Sequence, residues 1–172
     1  MVRKKQKDNY YIIRLLCSIS SNTNDSSLMR LFLSIFLFTS LSNSQINPNN
    51  IDIVRDDYGV PHIFAKTDAE LAYGLAWANA EDDFTTIQQA YLAGNGMLSK
   101  YIGLEGAPAD FITQFIGSKE IIDEKIGEIS EEYFDVISGY AQGLNSYARN
   151  NPDKVLYKKL FPITPKMMIM YS

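Results

Sequence analysis

Hydrophobic and polar positions fall into three regimes along this chain. Leu31 to Leu41 reads LFLSIFLFTSL, eleven mostly apolar residues without a charge. Nearer the middle, Ile51-Asp52-Ile53-Val54-Arg55 alternates apolar and polar at its start, the period of a half-buried strand. Asp56-Asp57-Tyr58-Gly59 is turn chemistry, short acids that tolerate unusual backbone angles followed by a glycine. Val60-Pro61-His62-Ile63-Phe64-Ala65 then resumes extended character. Pro61 has no amide to donate, so it belongs at a strand entrance or on an edge. The pattern predicts a β-hairpin.

From residue 67 the period lengthens to that of a helix. Thr67-Asp68-Ala69-Glu70 has the spacing of a capping box, in which hydroxyl and carboxylate satisfy orphan amides. Leu71, Leu75 and Ala78 then share one face, the polarity switches at Glu81-Asp82-Asp83, and Phe84, Ile87 and Tyr91 continue a stripe. Gly94-Asn95-Gly96 is expected to stop this helix. Residues 97–129 carry Gly103, Gly106 and Pro108, which suggest a loop, with Phe111 to Phe115 a short apolar turn. Ser130 is a good N-cap, and Glu131 and Glu132 sit where the helix dipole favours negative charge. Phe134, Ile137, Ala141, Leu144 and Ala148 step by three and four residues, an amphipathic helix that Asn150-Asn151-Pro152 should end.

The uncharged run changes meaning once charge is added. A bilayer-spanning helix needs about 20 apolar residues, so eleven are short for a permanent anchor and suit a signal-peptide core. Arg30 precedes the run, and Ser42-Asn43-Ser44 places small residues where a signal peptidase reads. Residues 29–44 are therefore expected to be a signal peptide, and residues 1–28 a mis-called or extended N-terminus. Residues 1–45 hold six basic side chains against two acidic ones, whereas the remainder holds ten against eighteen. The acidic body argues against a general nucleic-acid binder. One cysteine, Cys17, excludes an internal disulfide and a four-thiolate zinc site, and one histidine excludes a His-rich metal cluster.

Candidate chemistry is sparse. His62 is the one candidate for a general base, although a single histidine beside a proline in a strand reads first as a hydrogen-bonded structural residue. No serine lies in a Gly-x-Ser-x-Gly elbow. Glu81-Asp82-Asp83 could offer oxygen ligands to a hard cation, but consecutive helical residues point in three directions. A solvated or salt-bridged cluster is the plainer reading. Gly94-Asn95-Gly96 lacks the lysine of a phosphate loop. From these residues alone no active site is complete.

Four ordered segments carry a resemblance. Ile51 to Ile63 (IDIVRDDYGVPHI) resembles the opening of the penicillin amidase family, secreted N-terminal nucleophile hydrolases. Leu71 to Asp82 (LAYGLAWANAED) looks like the family's glycine-bearing helix, with Glu81 where glutamine is common and Asp83 where arginine is common. Gly96 to Gly103 (GMLSKYIG) and Ser138 to Tyr147 (SGYAQGLNSY) are similar to two further blocks. Near the end, Lys166 stands where the family usually has an acid.

That resemblance implies an α+β fold, an N-terminal fragment of an αββα hydrolase in which a β-hairpin precedes a mainly helical α-subunit segment over residues 46–172. The implied function is hydrolysis of linear amides in acylated small molecules such as β-lactam side chains or N-acyl-homoserine lactones, in the periplasm or outside the cell. The nucleophile is the serine that begins the family's β-subunit, so the catalytic residues expected within this sequence are none. Partners would be the missing α-subunit segment and that β-subunit, with no nucleic acid and no permanent membrane span. No cofactor is expected in this stretch; some members hold a structural calcium, for which no ligand matches here. Two other classes remain open on the residues: a secreted binding or interaction module, and a signal-anchored membrane protein.

Overall fold

The computed structural model describes residues 45–171; the expected segments 1–28 and 29–44, with Cys17, lie outside the described residues. Strand β1 (Asp52–Arg55) pairs antiparallel with β2 (Pro61–Phe64), placing Ile53 opposite Ile63 and Val54 opposite His62. Pro61 opens its strand, where a missing amide costs no ladder bond. Asp56 builds the turn: its Oδ1 accepts from the amides of Tyr58 and Val60, both at 2.9 Å, and Gly59 supplies the positive φ of 82°.

Helix α1 (Asp68–Gly94) starts on Thr67, whose hydroxyl accepts from the Glu70 amide at 3.2 Å. Glu70 reaches one residue further back than in a strict capping box, accepting from the Lys66 amide at 3.1 Å. At Asp83 the backbone leaves the helical region (φ −153°, ψ 76°), and the Asp83 carboxylate accepts from the Thr86 amide at 2.9 Å, so it caps the second half of α1. Three short helices come next: α2 (Ser99–Ile102), α3 (Ala107–Ile116) and α4 (Ser118–Lys125). Helix α5 (Glu131–Asn150) begins on Ser130, and a last short helix, α6 (Pro165–Ile169), begins on Thr164.

The loop expected over residues 97–129 is thus corrected. Pro108 sits in the first turn of α3, where a missing amide is one of the orphans anyway, so it starts a helix and does not interrupt one. Gly117, at φ 70°, then makes the left-handed turn between α3 and α4.

The core is the seam between α1 and α5. Ala76, Ala80 and Leu144 are essentially inaccessible there, with Phe84, Tyr147, Leu160 and Ile163 closing the far end. Two glycines permit the approach: a Cβ on Gly139 would lie 2.1 Å from the Ala69 carbonyl oxygen, and one on Gly143 would lie 2.4 Å from that of Tyr73. This seam corrects the expected face of α1 at Leu71 and Leu75, while Ala78, Phe84 and Tyr91 are buried as expected. Leu71 and Leu75 are 45% and 41% exposed, whereas Ala72, Tyr73, Ala76 and Ala80 are buried. Close helix packing needs small side chains, so the seam runs along the alanines and not along the largest apolar residues. The stripe expected for α5 holds at Ile137, Ala141, Leu144 and Ala148.

Side-chain amides, one buried and one partly buried, pin the chain beyond α5 to this pair. Gln88 donates to the Lys154 carbonyl at 3.0 Å and accepts from the Leu156 amide at 2.8 Å. Asn145 donates to the Ile163 carbonyl at 2.8 Å and accepts from its amide at 2.7 Å. Each side chain mimics a backbone pair, which satisfies polar groups that burial would otherwise penalise.

Candidate functional site

A cleft of about 440 Å³ opens between the hairpin, α1 and α5. Strand alternation makes one wall: Ile51, Ile53 and Ile63 face α1, where Gly74 makes room for the Ile51 and Ile63 side chains. Trp77, one turn below Tyr73, supplies the facing wall, and its ring meets Tyr147 edge-on with centroids 5.2 Å apart. Ser146 and Asn150, one turn apart on α5, add polar groups.

Arg55 closes one end of the cleft. Its guanidinium donates to the Gly59 carbonyl at 2.7 Å, to Asp82 Oδ1 at 2.8 Å and to Glu81 Oε2 at 3.3 Å, and Glu81 Oε1 accepts the Trp77 indole N–H at 2.9 Å. The bond to Glu81, followed by that to Asp82, raises the Arg55 pKa above its ordinary value. One cation therefore ties the hairpin turn to the middle of α1.

Glu81, Asp82 and Asp83 do not converge. The first two serve Arg55, and the third caps the restarted helix; its carboxyl is held below the usual range by the Thr86 hydroxyl and amide. Calcium takes six to eight oxygens around one point, and this donor set does not supply them. Among the described residues no three His, Cys, Asp or Glu side chains are grouped to hold a metal ion.

His62 lies on the outward face of the hairpin. Its partner is Asp56, whose Oδ2 is 3.4 Å from Nε2, and neither side chain is buried. The Val60 amide, and to a lesser extent His62, lowers the Asp56 pKa. The structure brings no serine, threonine or cysteine hydroxyl or thiol to His62 as a hydrogen-bond partner among the described residues. Gly94-Asn95-Gly96 ends α1: the Asn95 amide group donates to the Tyr91 carbonyl at 2.8 Å and to that of Met167 at 3.0 Å.

Three polar residues that organise the structure were not singled out by sequence: Gln88, Asn145 and Asp110. Asp110 is 6% exposed and accepts from the amides of Leu98 (2.7 Å) and Ser99 (2.9 Å) and from the Ser99 hydroxyl. Burial pushes its carboxyl up, but these bonds together outweigh burial and leave the pKa below its ordinary value. A polar residue inside an apolar helical stripe, as Gln88 is between Phe84 and Leu92, was the available signal.

A hairpin laid on a glycine-sealed helix pair is the fold found in the N-terminal nucleophile acylases. It is similar to a solved thermostable penicillin G acylase from Alcaligenes faecalis: TM-score 0.60 and 27% identity over 70% of this chain and 69% of that one. The pattern of the penicillin amidase family matches residues 50–169, and the chain belongs to that family.

Among curated relatives, penicillin G acylase of Escherichia coli is 30% identical over 123 residues, covering 69% of this chain and 14% of its own length. The acyl-homoserine lactone acylase PvdQ of Pseudomonas fluorescens (strain Pf0-1) is 29% identical over 124 residues, 66% of this chain and 16% of its own. Aculeacin-A acylase of Actinoplanes utahensis is 28% identical over 109 residues, 56% and 14%. The chain thus spans about one seventh of these relatives, while it spans 69% of the solved chain. The four segments that carry the resemblance in sequence all fall inside the matched residues.

Proposed function

We propose that this chain is the N-terminal portion of the α-subunit of an exported acylase that hydrolyses a linear amide in an acylated small molecule. The observation that carries the reading is the family match over residues 50–169, with the hairpin and the Gly139/Gly143 seam in place. The relatives' names set the substrate range: a penicillin, an acyl-homoserine lactone or an acylated peptide such as aculeacin A. Residues 29–44 would direct export and be removed. No helix among the described residues is long and apolar enough to cross a membrane.

In this reading the chemical step belongs to the remaining polypeptide. A serine at the head of the β-subunit attacks the amide carbonyl, its own α-amine takes the proton and delivers it to the departing amine, and water then hydrolyses the acyl-enzyme. Backbone amides and a β-subunit asparagine hold the oxyanion. The residues of this chain do other work. The hairpin and the α1–α5 pair scaffold the β-subunit sheet and contribute to the wall of the acyl pocket. The exposed apolar side chains of α3 speak against a self-sufficient binding module.

The test is to express everything the gene's reading frame encodes and assay release of the free amine from penicillin G and from an N-acyl-homoserine lactone. Release by the whole product, abolished when the N-terminal serine of the second subunit is replaced by alanine, is expected. A product without amide turnover, or turnover insensitive to that serine, would remove the reading.

A further inference from the structure

We propose that Asn95-Gly96 is a deamidation site whose reaction is gated by the docking of α6 against the end of α1. This inference does not rest on the acylase reading. The chain contains one Asn-Gly step, and it falls directly after α1. Asparagine before glycine is labile because glycine, with no Cβ, leaves its amide nitrogen open to the neighbouring side chain. That nitrogen bonds to Asn95 Cγ as it gives up its proton; the Cγ–Nδ2 bond breaks, and ammonia leaves with the proton. Water then opens the five-membered imide at either carbonyl, giving aspartate or its β-linked isomer.

In the folded chain both reacting groups are engaged. Asn95 Nδ2, on the leaving group, donates to the Tyr91 carbonyl at 2.8 Å and to the Met167 carbonyl at 3.0 Å. The Gly96 amide, the nucleophile, donates to the Ala93 carbonyl at 3.0 Å, and Gly96 is held at φ 61°. Two of these three bonds are local to the end of α1. The third belongs to α6, whose Met167 carbonyl is one of the orphans that a short helix leaves. Docking of α6 therefore completes the restraint on Asn95. The dock has other supports. The Tyr171 ring lies against Tyr91 with centroids 5.3 Å apart, and Lys166 pairs with Asp123 of α4. Gly94 admits the approach, since a Cβ there would lie 2.8 Å from Tyr171 Cα.

The product does not fit the site it leaves. A carboxylate at this half-buried position has no N–H to give, so it faces the Tyr91 and Met167 carbonyl oxygens, acceptor against acceptor. It also places negative charge at the C-terminal end of α1, where the helix dipole is already negative. Deamidation while α6 is undocked accordingly keeps it undocked. The reaction is a one-way mark on chains that have not closed.

The experiment incubates the purified 172-residue chain at neutral pH beside a peptide of residues 91–99 and follows Asn95 by peptide mass spectrometry and isoaspartate content. The chain is expected to deamidate at least about tenfold more slowly than the peptide, because it reacts only from an opened state. Tyr171→Ala removes a half-exposed ring from the dock and leaves the α1–α5 seam untouched; its Asn95 should react about threefold faster than in wild type, or more. If that variant loses the wild-type circular dichroism spectrum, Lys166→Gln, which removes only the pair with Asp123, takes its place. Asn95→Asp should speed hydrogen exchange in residues 165–171 and leave residues 137–148 at the wild-type rate. A chain that deamidates as fast as the peptide would overturn the proposal. So would a folded dock variant no faster than wild type, or Asn95→Asp with wild-type exchange in residues 165–171.

Discussion

The α1–α5 seam and the α2–α4 segment are built by opposite means. In the seam, small side chains and two glycines let backbones touch, and apolar surface disappears completely: Ala76 and Leu144 have no measurable exposure. In α2–α4, large side chains stay outside. Leu104 is 88% exposed and Phe115 80%, and Phe111 stacks on Phe115 with ring centroids 6.0 Å apart while remaining open to solvent. That segment is held by polar devices: the Asp110 carboxylate on the α2 amides, and the Thr113 hydroxyl donating to the Ala93 carbonyl at 3.0 Å. One chain can therefore complete its core along a helix pair and leave an apolar face exposed elsewhere.

Breaking the seam should have the largest effect. Gly139→Ala places a Cβ against the Ala69 backbone, and packing cannot relax around a carbonyl; a loss of about 3 kcal/mol in denaturant unfolding is expected. Gly127→Ala is the control: a Cβ there has nothing within 4 Å, and stability should hold within about 0.5 kcal/mol.

Asp110 comes next. Asp110→Ala strands two α2 amides and should cost about 2 kcal/mol, read by the same unfolding assay. Its folded pKa lies below the ordinary 3.8, so its ionised form contributes stability that is present above pH 3.8 and lost as pH falls through the folded value. Unfolding measured across acid pH should show that loss in the wild type, and Asp110→Asn should flatten this part of the profile.

The smallest effect is expected on the open face. Phe115→Ser removes a side chain with few neighbours, so stability should change by about 0.5 kcal/mol or less. Light scattering should instead report less self-association, because the contiguous apolar patch is interrupted.

The same contrast explains what could be read from the sequence. The hairpin, the N-caps Thr67 and Ser130, the stop at Gly94-Asn95-Gly96 and the phase of α5 were legible, because each depends on local chemistry or a regular period. The buried face of α1 was legible at Ala78, Phe84 and Tyr91 but not in its first turns. Hydrophobicity ranks Leu71 and Leu75 above the alanines, but the seam is selected by how closely Gly139 and Gly143 approach, a property of the partner helix. Residues 97–129 misled for a related reason, since Pro108 opens a helix as readily as it ends one. The partners of Gln88 and Asn145 were invisible, because residues 154–156 and 163 come near only after the chain has folded back. The acidic triplet was legible in part: three directions were foreseen, and the structure adds Arg55 as the partner of two and a helix restart for the third.

We propose that the described residues scaffold an acylase and leave its chemistry to the remaining polypeptide. The most direct test is an amide-hydrolysis assay of the purified 172-residue chain alone, beside its His62→Ala variant, with penicillin G and an N-acyl-homoserine lactone. No amine release from either protein is expected. Turnover by the chain that disappears in His62→Ala would contradict it.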